Sequence, residues 1–189
     1  MDLFEHLVIK EIPTISPAFR WAQSLNTTYL EVKWATRFDS PACLDIFDQE
    51  YSIEDYQTIH ISAMCRNDKK LLRYSMSLEL QDCVDEEPIS YFESSSVGRL
   101  FVSLAKLEDP SRWKRLLADD APKPSNMNIW WDVHEKHEKD LEMHQKALDE
   151  AAEEQSKLGP LSPQALGLEQ KPRKKKTKKV KSKKESKVN

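Results

Sequence analysis

Three stretches of the chain alternate apolar and polar residues with a period of two. Tyr29-Leu30-Glu31-Val32-Lys33-Trp34, Thr58-Ile59-His60-Ile61-Ser62-Ala63-Met64 and Tyr74-Ser75-Met76-Ser77-Leu78-Glu79-Leu80 each place one set of side chains on a single face of an extended strand. Leu100-Phe101-Val102-Ser103-Leu104 and Cys43-Leu44-Asp45-Ile46-Phe47 read as further strands, and polar segments such as Arg66-Asn67-Asp68-Lys69-Lys70 read as the turns between them. Short strands at this spacing, with no amphipathic helices between them, predict an antiparallel β-sandwich from residue 19 to about residue 117.

The pattern changes after Asp109-Pro110-Ser111. Residues 111–117 read as a turn or short helical segment that closes the domain, and Pro122 and Pro124 impose an extended stretch. From residue 131 to 158 the chain is dominated by Glu, Lys, Ala, Gln and Leu, with Glu135 and Lys139 one turn apart. This predicts a solvated helix whose apolar positions, Val133, Leu141 and Leu148, are sparse. Residues 159–189 have the composition of a disordered segment.

Charge sharpens this division. The formal net charge of −3 is a cancellation between two parts of the 189-residue chain. Residues 171–189 carry eleven basic side chains and one acidic one, so the other 170 residues hold 18 basic and 31 acidic. The tail residues Lys171, Arg173, Lys174, Lys175, Lys176, Lys178 and Lys179 form a nuclear-import candidate. They have no aromatic neighbours to stack bases, so nucleic acid is expected only non-specifically through this tail.

Other chemistry is largely excluded. Three glycines, Gly98, Gly159 and Gly167, cannot build a glycine-rich phosphate loop. No run of about 18 apolar residues exists to span a bilayer, and the charged start does not read as a signal peptide. Cys43, Cys65 and Cys83 suggest buried free thiols in a reducing compartment rather than a disulfide framework or zinc site. Asn26-Thr27-Thr28 fits a glycosylation sequon that would matter only in a secretory lumen. His134-Glu135-Lys136-His137 is one residue short of the zinc-peptidase spacing, so these and His144 read as ordinary helix histidines. Asp82, Asp85, Glu86 and Glu87 read as a solvated loop. No enzyme signature emerges, and no cofactor or metal is expected. Trp130 and Trp131, adjacent and outside the alternating pattern, either pack back on the sandwich or await a partner, one ring able to do each.

With these elements in order, the chain resembles the CS domain of the small acidic co-chaperones of heat-shock protein 90, over about residues 17–137. The resemblance is carried by Phe19-Arg20-Trp21-Ala22-Gln23 with Tyr29-Leu30-Glu31-Val32, by Leu80-Gln81-Asp82-Cys83-Val84-Asp85-Glu86-Glu87, and by Leu104-Ala105-Lys106 with Trp113-Lys114-Arg115-Leu116. Met127-Asn128-Ile129-Trp130-Trp131-Asp132 resembles the hydrophobic motif that follows the domain. The resemblance implies an all-β, seven-stranded antiparallel sandwich of CS or α-crystallin-like type, followed by the charged helix and disordered basic tail. It also implies a non-enzymatic co-chaperone that binds heat-shock protein 90 in its ATP-closed state and assists its clients; a cytoplasmic monomer is expected, with the basic tail as the candidate for nuclear import. Lys106, Arg112 and Trp113 would lie near the docking face, and Met127, Asn128, Trp130 and Trp131 would anchor it. Residues 1–16 form a lead, 17–120 the CS domain, 121–158 the docking segment and helix, and 159–189 the tail. The alternatives are a CS adaptor for another protein and tail-driven ribosome or nucleic-acid association. Departures from the family pattern are the lysine-rich end, a long loop over residues 48–57, and the lack of a tyrosine in Trp21-Ala22-Gln23 for the prostaglandin synthase activity assigned to one co-chaperone.

Overall fold

A strand that is apolar on one face is stable only when that face is covered, and here two sheets cover each other. The computed structural model describes residues 12–67, 70–108 and 110–158. Among the described residues the strands are β1 (Thr14–Ile15), β2 (Ala18–Gln23), β3 (Thr27–Lys33), β4 (Ile46–Glu54), β5 (Thr58–Asn67), β6 (Lys70–Glu79), β7 (Ser90–Ser94), β8 (Arg99–Ala105) and β9 (Met127–Ile129). The helix α1 (Trp131–Leu158) follows. One sheet has the order β1-β6-β5-β4 and the other β7-β8-β3-β2-β9.

The expected sandwich is present, but with nine strands rather than seven. Two short segments outside residues 17–120 add edge strands, β1 to β6 and β9 to β2, and both pair in parallel. The remaining pairs are antiparallel. Inward residues follow the alternation: Phe19 and Trp21, Leu30 and Val32, Leu100, Val102 and Leu104 on one sheet meet Ile59, Ile61, Tyr74, Met76 and Leu78 on the other. Leu80, Val84, Trp113, Leu116 and Leu117 close one end of this core.

Residues 48–57 are not a loop. They continue β4 to Glu54 and turn tightly through Asp55 and Tyr56, both with positive φ, into β5. Tyr51 and Ile53 face the core at alternate positions, a pattern hidden by Glu50, Ser52 and Glu54 around them on this edge strand. Residues 111–117 form no helix either. Trp113, Leu116 and Leu117 are each drawn into the core, and Leu117 bridges Leu80. The helix over 131–158 forms as expected; Leu141 is buried while Leu148 is exposed. The lysine-rich tail lies outside the described residues. The chain divides into two compact units, Met1–Asp149 and Glu150–Asn189; the described part of the second is helical and carries a Glu153–Lys157 ion pair at 3.9 Å.

Two cysteines depart from the free-thiol reading. Cys43 and Cys65 form a disulfide with Cα atoms 6.2 Å apart, and Cys83 is free. Their spacing of 22 residues shows nothing by itself; the pairing of Ile46 with Cys65 at the start of β4 brings the two together. The same crossing explains Gly98. Its φ is +60°, and a Cβ there would stand 2.2 Å from the carbonyl oxygen of Cys43.

Reduction of the Cys43–Cys65 bond is expected to lower the unfolding free energy by about 3 kcal/mol through release of the closed loop, measured by urea titration with and without a dithiol. Gly98→Ala is expected to cost at least about 2 kcal/mol in the same titration, since both its φ and the Cys43 carbonyl oppose a side chain.

Candidate docking surface

The alternation that buries Phe19, Trp21, Leu30 and Val32 turns Arg20 and Glu31 to the outer face of the five-stranded sheet. There Phe92, Phe101, Glu31, Arg20 and Asn128 lie in one cross-strand row. Glu31 has no solvent exposure, and a buried carboxylate must be paired. Arg20 donates to it through Nε, and Arg99 through Nη1 at 2.6 Å. Arg20 in turn lies beneath Trp130, its guanidinium carbon 4.7 Å from the ring centroid, with Phe38 at 5.6 Å. Phe101 approaches Trp130 at 5.9 Å and Phe92 at 6.2 Å.

This arrangement seats the segment after the sandwich. Asn126 donates its side-chain amide to the carbonyl of Pro17 at 2.6 Å and accepts the Phe19 N–H at 3.1 Å, which starts β9 in register with β2. The Trp130 N–H reaches the Trp21 carbonyl at 2.8 Å, and the Trp130 carbonyl accepts the first helical bond from His134 at 2.9 Å. Asp132 in the first turn suits the positive end of the helix. His137 stacks on Tyr29 with ring centroids 5.6 Å apart.

A second polar centre lies at the end of β8. Lys106 is 4% exposed and donates to Gln23 Oε1 (2.7 Å), the Ser24 carbonyl (2.8 Å) and the Ser111 carbonyl (2.7 Å), with Trp113 5.1 Å below. Gln23 also donates to the Trp113 carbonyl and accepts its N–H. This cage fastens residues 111–117 to the sandwich. Beside it is a pocket of about 370 Å3 lined by Trp21, Gln23, Arg112, Trp113, Lys114, Ile129 and His134, among others.

The expected site residues therefore separate. Lys106 and Trp113, expected near the docking face, are buried at 4% and 2%, because the Lys106 ammonium is caged by carbonyl oxygens and Trp113 closes the core. Arg112 is exposed on the pocket. Met127 packs on the core, and Asn128 is exposed on β9. Trp130 packs back on Arg20 and Phe101, whereas Trp131 is 61% exposed and meets only His134 edge-on among the ring contacts of the described residues. Glu31, Asn126 and Lys114 were not expected as site residues from the sequence, and His134, read there as an ordinary helix histidine, lines the pocket. Glu31 had a faint signal, as the one acidic residue on the outward face of its strand.

The remaining titratable groups do not converge. No cluster of three or more metal-binding side chains occurs among the described residues, and none of their helices is long and apolar enough to cross a membrane. At the opposite edge, burial raises the Tyr51 and Tyr91 hydroxyls above their ordinary range, Tyr91 further through Glu93, so both keep their protons at neutral pH.

No protein-family model matches the chain, and no curated protein matches it. Solved structures do. A nuclear movement protein from E. cuniculi is 17% identical, covering 53% of this chain and 99% of that one, with a TM-score of 0.34. Heat shock protein 16.0 from Schizosaccharomyces pombe is 18% identical, with coverages of 55% and 97% and a TM-score of 0.38. Stress-induced protein 1 from Caenorhabditis elegans is 13% identical, with coverages of 56% and 79% and a TM-score of 0.29. The sandwich itself is defined by its own strand order and core.

Glu31→Gln is expected to destabilise the fold by about 2 kcal/mol, since the partly exposed Arg20 and Arg99 lose the buried carboxylate to which both donate. Chemical denaturation measures the loss. Near-ultraviolet circular dichroism should show a changed tryptophan signal as Trp130 loses its support.

Proposed function

We propose that this chain is a non-catalytic, co-chaperone-like interaction module of CS type that binds heat-shock protein 90 in its ATP-closed state. The observation that supports this reading is the division of the two tryptophans. Trp130 is consumed in holding β9 and the start of α1 against the sheet, and this leaves Trp131 exposed on a positioned backbone next to His134. A large rigid ring held outward against His134, which with exposed Arg112 and Lys114 lines one pocket, offers the aromatic contact and the steering charge that protein docking uses.

The protein acts as a monomer in the cytoplasm, with the lysine-rich tail directing it to the nucleus. In a reducing compartment Cys43 and Cys65 would stand as two neighbouring thiols in the same buried site. The chain's role is to hold the partner in its closed state while clients fold.

The test is a pull-down of purified heat-shock protein 90 by the full chain, with a non-hydrolysable ATP analogue and with ADP. Enrichment is expected with the analogue alone, and Trp131→Ala is expected to weaken it by roughly thirtyfold, about 2 kcal/mol. Trp130→Ala should weaken it also, with a loss of stability that Trp131→Ala does not share. Absence of enrichment in either nucleotide would reject the chaperone partner and leave an adaptor for a different protein. Binding that survives Trp131→Ala but vanishes on removal of residues 171–189 would point to the tail instead.

A further inference from the structure

The Cys43–Cys65 bond lies where the chain crosses from one sheet to the other. β3 of the five-stranded sheet ends at Lys33, residues 34–42 cross to Cys43, and β4 of the four-stranded sheet follows, with Cys65 beside its start on β5. The crossing is fastened near its beginning by the Ala18 N–H, which donates to the Ala35 carbonyl at 2.7 Å. At its end the Cys43 N–H donates to the Trp34 carbonyl at 2.8 Å, and the disulfide adds a covalent tie to β5. Two contacts lead from this crossing to the docking segment. The Phe38 ring packs on Arg20, the same guanidinium that supports Trp130, and the Phe38 carbonyl accepts from Lys33 Nζ at 2.5 Å. Residues 36–39 also share the lining of a cavity with Ser125, Asn126 and Asn128, at the start of β9. Both oxidation states of the cysteine pair have a place in this geometry. As a thiol, Cys43 has the carbonyl oxygens of Asp45 and Arg66 within reach of its S–H, at 3.6 and 3.8 Å from Sγ. Cys65 is wholly enclosed while Cys43 keeps 9% exposure, so a small oxidant meets Cys43 first.

We propose that Cys43 and Cys65 are a reversible redox modification site, whose bonded state holds the 34–42 crossing and, through Phe38 and Arg20, keeps β9 seated. The oxidant is a peroxide. The Cys43 thiol gives up its proton, and the thiolate attacks one oxygen of hydrogen peroxide. The O–O bond breaks, Cys43 becomes a sulfenic acid, and the hydroxide released takes up that proton as water. The Cys65 sulfur then attacks the Cys43 sulfur. The S–S bond forms as the S–O bond breaks, and the second hydroxide leaves with the Cys65 proton as water. Two thiols thus lose two electrons and two protons, and one peroxide becomes two waters. A dithiol reverses the step by exchange through a mixed disulfide. In a reducing compartment a pair of this kind is bonded only while an oxidant acts on it, so the docking segment is held most firmly under oxidising conditions. This inference rests on the compartment and the docking role proposed above, but its effect is read in the chain alone, with no partner present.

The test treats the full, folded chain with dithiothreitol, and then a portion of it with hydrogen peroxide. Alkylation and mass spectrometry are expected to find all three cysteines free after dithiothreitol. After peroxide they should find a peptide linking Cys43 to Cys65, with Cys83 still free. Amide hydrogen exchange then compares the two forms. Residues 35–43 and 127–130 are expected to exchange roughly tenfold faster in the reduced form, at times when β8 is still protected in both. Cys83→Ser should keep this difference. Cys43→Ala with Cys65→Ala should abolish it, and the comparison of the unsubstituted chain in its two states decides the matter even where that double variant fails to fold. Absence of the linked peptide after peroxide would overturn the inference, as would a bond that dithiothreitol leaves intact in the folded chain. Equal exchange in the two forms would overturn it too. So would acceleration spread evenly through β8, which would make the bond a general staple of the sandwich. The two proposals fail separately. The exchange difference in a chain that does not bind heat-shock protein 90 would reject only the chaperone partner. Chaperone binding by a chain whose exchange is the same in both forms would reject only the redox site.

Discussion

Glu31 is a carboxylate with no exposure on the outer face of a sheet, where a strand of this kind ordinarily meets water. Its burial is tolerable only because Arg20 and Arg99 close on it from the neighbouring strands. That demand orders much else. Arg20, held by Glu31, presents a flat cationic surface on which Trp130 lies, and Phe101 supports the same ring from β8. With Trp130 in place, β9 is kept on the edge of β2 and α1 starts at a defined position. One buried charge thus connects the sandwich to the segment that follows it.

The second polar centre works differently. Lys106 satisfies its ammonium with carbonyl oxygens and Gln23, and through them fixes the path of residues 111–117. The cations of this chain therefore divide between those enclosed by the fold and those left at its surface. Lys106 belongs to the first group, Arg112 and Lys114 to the second, and Arg20, paired with Glu31 yet partly exposed, lies between them. Proximity in sequence does not separate them: Arg112 and Trp113 are adjacent, yet one is exposed and the other closes the core.

Much of the sandwich was legible because a half-buried strand writes its period into the chain. Thr58 to Met64 and Tyr74 to Leu80 needed only alternation to be recognised. The features that went unread are those whose cause lies elsewhere in the chain. β4 beyond Phe47 carries Glu50 and Glu54 on a solvated edge, so its polar character resembled a loop. β9 has three residues, too few to display a period, and is a strand because Asn126 binds Pro17 and Phe19 across more than a hundred positions. The Cys43–Cys65 bond likewise depends on β4 pairing with β5. Of the site, the tryptophan pair was visible as an anomaly, but not which ring would face outward.

Local order in the chain was enough to determine two sheets, a charged helix from residue 131 to 158, and an acidic body ahead of a basic end. These follow from side-chain periodicity and composition, which act over a few neighbouring residues. Only the tertiary structure decided which charges are enclosed, which cysteines meet, and which of two adjacent tryptophans is spent on packing. Each of those outcomes depends on groups brought together from distant strands, and the free energy of a buried charge or ring is set by what closes over it rather than by what precedes it in the chain.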